Sequence, residues 1–114
     1  MSAKPTPGPW LRDGLTIYAL HHNGEYRKGV PTLVNRFSAH VEPCLYQGGT
    51  EAEAEANARL IAAAPDLLAV LVSVERFITE TENPEDVWWT VKRRMVALGP
   101  QVRAAIAKAK GVTT

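Results

Sequence analysis

Two rhythms of apolar residues divide the chain. From Trp10 to Tyr46 the apolar positions come in short β-like runs. Candidate strands are Trp10–Arg12, Thr16–His21, Thr32–Arg36 and Ser38–Glu42. Asp13-Gly14 and Asn23-Gly24 are turn signals, because both dipeptides accept positive φ cheaply. In the second strand Ile17 and Ala19 alternate with Thr16, Tyr18 and Leu20, which leaves its buried face open. In the third, Leu33 points opposite to Thr32 and Val34. These strands predict an antiparallel meander, ended by Gly48-Gly49. Ahead of it, Pro5, Pro7, Gly8 and Pro9 make residues 1–9 an extended arm rather than a helix.

From Thr50 the rhythm becomes helical. Thr50-Glu51-Ala52-Glu53 matches a capping box, in which hydroxyl and carboxylate satisfy two orphan amides. Ala52 to Ala64 is rich in helix formers apart from Asn57. Pro65 cannot continue that ladder but fits the first turn of a second helix, with Asp66 beside it. There Leu67, Leu71, Val74 and Ile78 fall at helical spacing, and Leu68, Val70 and Phe77 widen the stripe, so this helix is expected to be the most buried. Asn83-Pro84-Glu85-Asp86 is the start signature of a third helix. Its stripe is Trp88, Val91, Met95 and Leu98, and Gly99-Pro100 is expected to stop it. A fourth short helix, from Pro100 to about Lys110, turns Val102, Ile106 and Ala109 inward. Strands segregated from helices predict an α+β protein: an N-terminal antiparallel β-meander of three to four strands, then a C-terminal bundle of about four helices. Residues 1–114 read as a single domain, with an arm (1–9), a β region (10–47) and a helical region (50–111).

Composition adds limits. A chain of 114 residues, 46% hydrophobic and 22% charged, has ordinary globular make-up, which excludes collagen-like, low-complexity and disordered classes. The single cysteine, Cys44, excludes an internal disulfide and a cysteine-rich zinc site. There is no apolar window long enough for a membrane helix. Met1-Ser2-Ala3-Lys4-Pro5 lacks the core of a signal peptide, so a cytoplasmic address and no membrane partner are expected. The net charge of +1 is unevenly spread. Residues 51–86 carry nine acids against Arg59 and Arg76; residues 87–114 carry Lys92, Arg93, Arg94, Arg103, Lys108 and Lys110 and no acid. Pairing across the fold and with helix dipoles accounts for this most simply. A basic face for an anionic partner is the alternative.

Chemistry-bearing residues are few. His21 and His22 are adjacent, so on a strand they point to opposite faces. His40 and Cys44 stand four residues apart. A zinc site built from these matches no standard spacing, and neither metal nor cofactor is expected. Cys44 activated by His40 is conceivable as a nucleophile, but a lone cysteine is more often a packing residue. There is no Gly-x-Ser-x-Gly elbow and no phosphate loop. Glu51, Glu53 and Glu55 line an exposed helix start. The expectation is that the protein is not an enzyme. Lys92-Arg93-Arg94 lies on a helix near Trp89, yet near-neutral total charge argues against direct nucleic-acid binding. Trp88 and Trp89 cannot share a helix face. Trp88 fits the core stripe, which leaves Trp89 as an anchor over a partner or ligand, or packed on the sheet edge. Asn57 is placed on the core side of the first helix, where a buried amide needs sheet backbone or a polar ligand as partner. Arg59, four residues after Glu55, is a surface ion-pair candidate.

Certain runs look familiar as a set. Pro7-Gly8-Pro9-Trp10, the hairpins after it, and Glu53-Ala54-Glu55-Ala56-Asn57-Ala58-Arg59-Leu60-Ile61-Ala62-Ala63-Ala64-Pro65-Asp66-Leu67-Leu68 resemble a widespread family of small phage and prophage proteins. Ala104-Ala105-Ile106-Ala107-Lys108-Ala109-Lys110-Gly111 is similar to that family's C-terminus. The plan is also similar to that of phage counter-defence sponges, in particular the anti-Thoeris proteins. This resemblance implies oligomers that sequester a cyclic nucleotide or ADP-ribose-derived immune signal without cleaving it, in the cytoplasm of an infected bacterium. It points to Asn57 and its helical neighbours, and to Trp10. The expectation is a homo-oligomer that holds a small anionic nucleotide with arginine clamps and a stacking ring. Candidate clamps are Arg36, Arg59, Arg93 and Arg94; candidate rings are Trp10, Tyr18 and Trp89. One alternative is an anti-CRISPR-type inhibitor that binds a host defence protein through the acidic 51–86 face or Trp89. Another is a small nucleotide-degrading enzyme with His21, His22 or His40 as base.

Overall fold

The computed structural model describes residues 3–81 and 88–111; the helix-start signature at Asn83–Asp86 lies outside them. Three antiparallel strands come first, β1 (Leu11–Asp13), β2 (Thr16–Arg27) and β3 (Val30–His40), in the sheet order β1-β2-β3. The expected turn after Asp13 is present: Asp13 pairs with Thr16 across Gly14, whose φ is 60°, and Leu15. The turn expected at Asn23-Gly24 is not. The hairpin reverses instead at Lys28 (φ 51°) and Gly29 (φ 79°), between paired Arg27 and Val30. Two positive-φ residues in a two-residue loop give a type I′ turn, whose twist matches that of the strands.

Asn23-Gly24 lies inside β2, where the register with β3 shifts between His22 and Tyr26. Gly24 has φ 89°, and Asn23 Oδ1 accepts from the Glu25 amide at 2.9 Å. The dipeptide's conformational freedom serves a bulge rather than a turn. A second irregularity joins the two expected strands Thr32–Arg36 and Ser38–Glu42 into one. Ala19 pairs with Phe37 and Leu20 with Asn35, so Arg36 is the extra residue. Asn35 Oδ1 accepts from the amides of Ala19 and Phe37, each at 3.3 Å. The side chain thereby takes the place of the missing ladder acceptor.

The sheet's buried face is that of Ile17 and Ala19, both 0% exposed. It is covered by α1 (Glu51–Ala62), whose buried positions are Ala54, Ala58 and Ala62. That i, i+4, i+8 spacing runs one row of methyl groups along the helix. Trp10, Leu15, Phe37, Val41 and Ile61 pack around Ile17, Ala58 and Ala62. The capping box half-forms as expected: Thr50 Oγ1 accepts from the Glu53 amide at 3.1 Å.

α2 (Ala64–Thr81) follows with Pro65 in its first turn, and α3 (Trp88–Lys110) is one helix that runs through Pro100. Among the described residues the α-helices therefore number three, not about four. Proline removes one backbone bond and crowds the preceding turn, at a cost of about 3 kcal/mol. The packing of α3 on α1 and α2 carries the axis through Gly99-Pro100.

α2 is the larger departure. Its apolar stripe predicts the most buried helix, yet none of its described residues is buried. Val70, Ser73 and Phe77 line the seam with α3. Leu68, Leu71, Val72 and Ile78 are 52%, 64%, 45% and 53% exposed. Trp88, expected in the core, is 67% exposed. The apolar arc on α2 is wider than one neighbouring helix can cover.

The methyl row makes a sharp prediction. Ala58→Leu should destabilise the chain by about 1–3 kcal/mol in urea unfolding, because the sheet leaves no room. Ala56→Leu, at an exposed position of the same helix, should change it by less than about 0.5 kcal/mol. Equal effects would contradict the close helix–sheet approach.

Candidate functional site

Trp10 is the fixed point of the site. Its ring stacks on Phe37, centroids 4.6 Å apart and planes at 30°, and its Nε1 donates to the Thr6 carbonyl at 2.9 Å. His21 Nε2 lies 3.0 Å from the Pro7 carbonyl oxygen. Gly8 is pressed against α2, where an added Cβ would stand 2.8 Å from Pro65 Cβ. Pro7-Gly8-Pro9-Trp10 is thus a clasp that ties the sheet to the start of α2.

Beside Trp10 opens a cleft of about 380 Å³, lined by Trp10, Leu11, Arg12, Arg59, Ala62, Lys108 and Gly111. Three cations reach it from three elements: Arg12 from β1, Arg59 from α1 and Lys108 from α3. Each has a partner. Arg12 Nη1 donates to the Gly14 carbonyl at 2.9 Å. Arg59 stands 3.7 Å from Glu55, and Lys108 Nζ 2.6 Å from Asp66 Oδ2. With these two carboxylates the cluster keeps one net positive charge. Exposed pairs of this kind contribute roughly 0–1 kcal/mol, so an incoming anion can exchange for them at small cost. Gly111, at φ 73°, ends α3 against Arg59: a Cβ there would stand 2.5 Å from Arg59 Cδ. Two guanidinium forks, an ammonium and an indole suit a planar ligand that carries phosphate or carboxylate.

Of the eight residues that the sequence singles out, Trp10 and Arg59 meet in this cleft. Asn57 is exposed rather than on the core side, because the buried row passes through Ala54, Ala58 and Ala62 and leaves Asn57 on its flank. Tyr18 is half-buried in β2, opposite Leu11 and Ser38. Arg36 is exposed at the β3 bulge. Trp89 and Arg93 are exposed on the N-terminal half of α3, and Arg94 lines a separate hollow with Arg76, Phe77 and Glu80. Arg93 lies about 22 Å along the helix from Lys108 at 1.5 Å per residue, too far to share the cleft. Sequence reading missed Arg12 and Lys108. Their available signals were position alone: one adjoins the Trp10 clasp, the other sits in the alanine-rich C-terminal run.

The histidines and the thiol are dispersed. His40 Nδ1 is 3.2 Å from Thr16 Oγ1 and its Nε2 3.6 Å from Glu42. His22 Nε2 is 3.0 Å from the Glu25 carbonyl oxygen, and Cys44 is exposed. Among the described residues no three His, Cys, Asp or Glu side chains stand close enough to hold a metal ion. No helix among them is long and apolar enough to cross a membrane.

Fold and cleft together define a small α+β protein, three strands then three helices, with a basic cleft walled by a tryptophan where β1, α1 and α3 meet. The chain belongs to the family of the Salmonella phage P22 protein Y8K6, whose family model matches residues 1–113. A phage protein family is what the resemblance implied. No curated protein and no solved structure matches the chain.

The Gly111–Arg59 approach is testable without a ligand. Gly111→Ala should cost about 1 kcal/mol or more, from left-handed backbone plus the displaced arginine. In an Arg59→Ala background the same change should cost at least about 0.5 kcal/mol less, as expected of residues in contact. A strictly additive urea-unfolding cycle would contradict the contact.

Proposed function

We propose that this protein is a non-catalytic phage binding protein that captures a small anionic nucleotide, a cyclic nucleotide or ADP-ribose-derived immune signal, and holds it without cleaving it. One observation supports this reading: Arg12, Arg59 and Lys108 converge from three elements on a single cleft beside Trp10. In this reading Arg59 exchanges its loose 3.7 Å pair with Glu55 for a forked contact to phosphate oxygens. Lys108 and Arg12 add positive charge on either side. The part of the indole not covered by Phe37 gives the base an apolar wall. The cleft falls within the roughly 300–1,000 Å³ of small-molecule sites. A holder of this kind needs affinity only, and the reading assigns no residue as nucleophile, general base or metal ligand.

A second reading, an anti-CRISPR-type inhibitor of a host defence protein, draws on a different surface. Trp88 and Trp89 are 67% and 58% exposed, and Lys92 Nζ lies 5.5 Å from the centroid of the Trp88 ring. Exposed tryptophans beside a cation are frequent anchors in protein interfaces.

Thermal melts with a panel of cyclic nucleotides and ADP-ribose isomers separate the two. Nucleotide capture predicts a concentration-dependent rise in Tm with one panel member, since binding to the native state alone stabilises by mass action. That ligand should be recovered chemically intact after heating. Arg59→Ala should abolish the rise and Trp89→Ala leave it. No rise with any member contradicts the first reading, and an altered ligand contradicts non-catalytic capture.

A further inference from the structure

α2 has two apolar sides, and among the described residues α3 is its main helical neighbour. Val70, Ser73 and Phe77 meet α3. On the other side Leu68, Leu71, Val72 and Ile78 are all exposed. Scattered exposed apolar residues are ordinary; four on one arc of one helix are a patch. The patch continues into an apolar groove of about 660 Å³ between α2 and the N-terminal arm, lined by Pro5, Pro7, Pro65, Leu68 and Val72.

The chain as a whole carries surplus surface. Its radius of gyration is 18.6 Å, where a compact chain of this length has about 13 Å. Its accessible area is 8821 Å², where a compact monomer of 12.5 kDa exposes about 6,200 Å². That surplus is shared by several surfaces, among them the β2–β3 hairpin with Tyr26, Val30 and Leu33 and the outer face of α2 with Leu68, Leu71 and Val72. The buried core among the described residues is Ile17 and six alanines, and each alanine buries little apolar area. Most of the chain's larger apolar side chains therefore have their burial still to gain.

We infer that the outer face of α2 is a self-association surface, on which a second copy of this chain docks through the same face in an antiparallel two-fold arrangement. The occupant follows from complementarity. A ridge at Leu71 stands beside the groove that it would fill. In a pairing centred on Leu71 and Val72, Leu68 of one copy faces Glu75 of the other. Lys4 lines the groove beside Leu68, so each Glu75 is brought to the Lys4 of the other copy. Two-fold symmetry satisfies the match twice. This inference does not rest on the nucleotide reading: Trp10 is the one residue that lines both the groove and the basic cleft, and none of the cleft's three cations lines the groove.

Sedimentation equilibrium on the full chain tests it. The expected mass is twice 12.5 kDa at micromolar concentration. Leu71→Asp, at a position already 64% exposed, should keep its helical circular dichroism and weaken the dimer at least about tenfold. Glu75→Lys should weaken it too, and Lys4→Glu added to it should restore association. Were Leu71→Asp to misfold, Leu71→Cys in a Cys44→Ser background probes the same contact. It should cross-link to a dimer under mild oxidation, and Tyr26→Cys on the exposed hairpin should not. A wild-type chain that stays monomeric, forms a trimer, or remains a dimer with Leu71→Asp overturns the inference, as does a Leu71→Cys chain that fails to cross-link. A nucleotide-induced Tm rise that persists in monomeric Leu71→Asp keeps the two proposals separate.

Discussion

The fold depends on how closely one helix can approach one strand. Ile17 on β2 packs with Ala58 and Ala62 on α1, and no side chain larger than isoleucine is fully buried there. A row of methyl groups lets helix and sheet come close enough for their backbones to set the spacing. That approach carries the end of α1 to β1, so that Arg59 and Arg12 share a cleft. α3 packs on α1 and brings Lys108 and Gly111 to the same place. The candidate site is a consequence of the alanine row, not an addition to it.

The same economy leaves the chain with apolar side chains that its own core does not use. α2 is the clearest case. Its inner side completes the helical layer, and its outer side meets water. Charge follows a similar division. The acid-rich 51–86 segment and the basic 87–114 segment touch through Asp66 and Lys108, a pairing across the fold of the kind that the charge pattern implies. Arg59 pairs locally with Glu55. Of the cations that line the cleft, Arg59 is the loosely paired one, 3.7 Å from Glu55, while Lys108 holds Asp66 at 2.6 Å.

Much of the architecture is legible in local signals. Thr50 caps α1, Pro65 starts α2, Gly14 turns the first hairpin, and strands precede helices. The misreadings share a cause: one local signal serves several structures. Positive-φ capacity at Asn23-Gly24 suits a bulge as well as a turn, and the reversal falls at Lys28-Gly29, where lysine gives no warning. The break at Arg36–Phe37 is a phase slip, which looks like a strand end to any reading by alternation. Pro100 breaks helices only where packing does not hold them. Periodicity shows which residues form an apolar arc but not what covers it, so it overstates burial for Leu71 and Ile78 on α2 and for Trp88 on α3. Asn57 is misplaced by one helical flank. Of the cleft, only Trp10 and Arg59 could be singled out, because Arg12, Arg59 and Lys108 come together through tertiary packing alone.

The central claim is that a small anion is held beside Trp10 by groups from β1, α1 and α3. Side-chain-resolved NMR of the labelled protein tests it most directly, with pyrophosphate and the cyclic nucleotides as titrants. The account predicts saturable shifts at the Trp10 indole N–H, the Arg12 and Arg59 Nε–H and the Gly111 amide, while Trp88 and Trp89 stay still. Shifts confined to Trp88 and Trp89, or none at all, would contradict it.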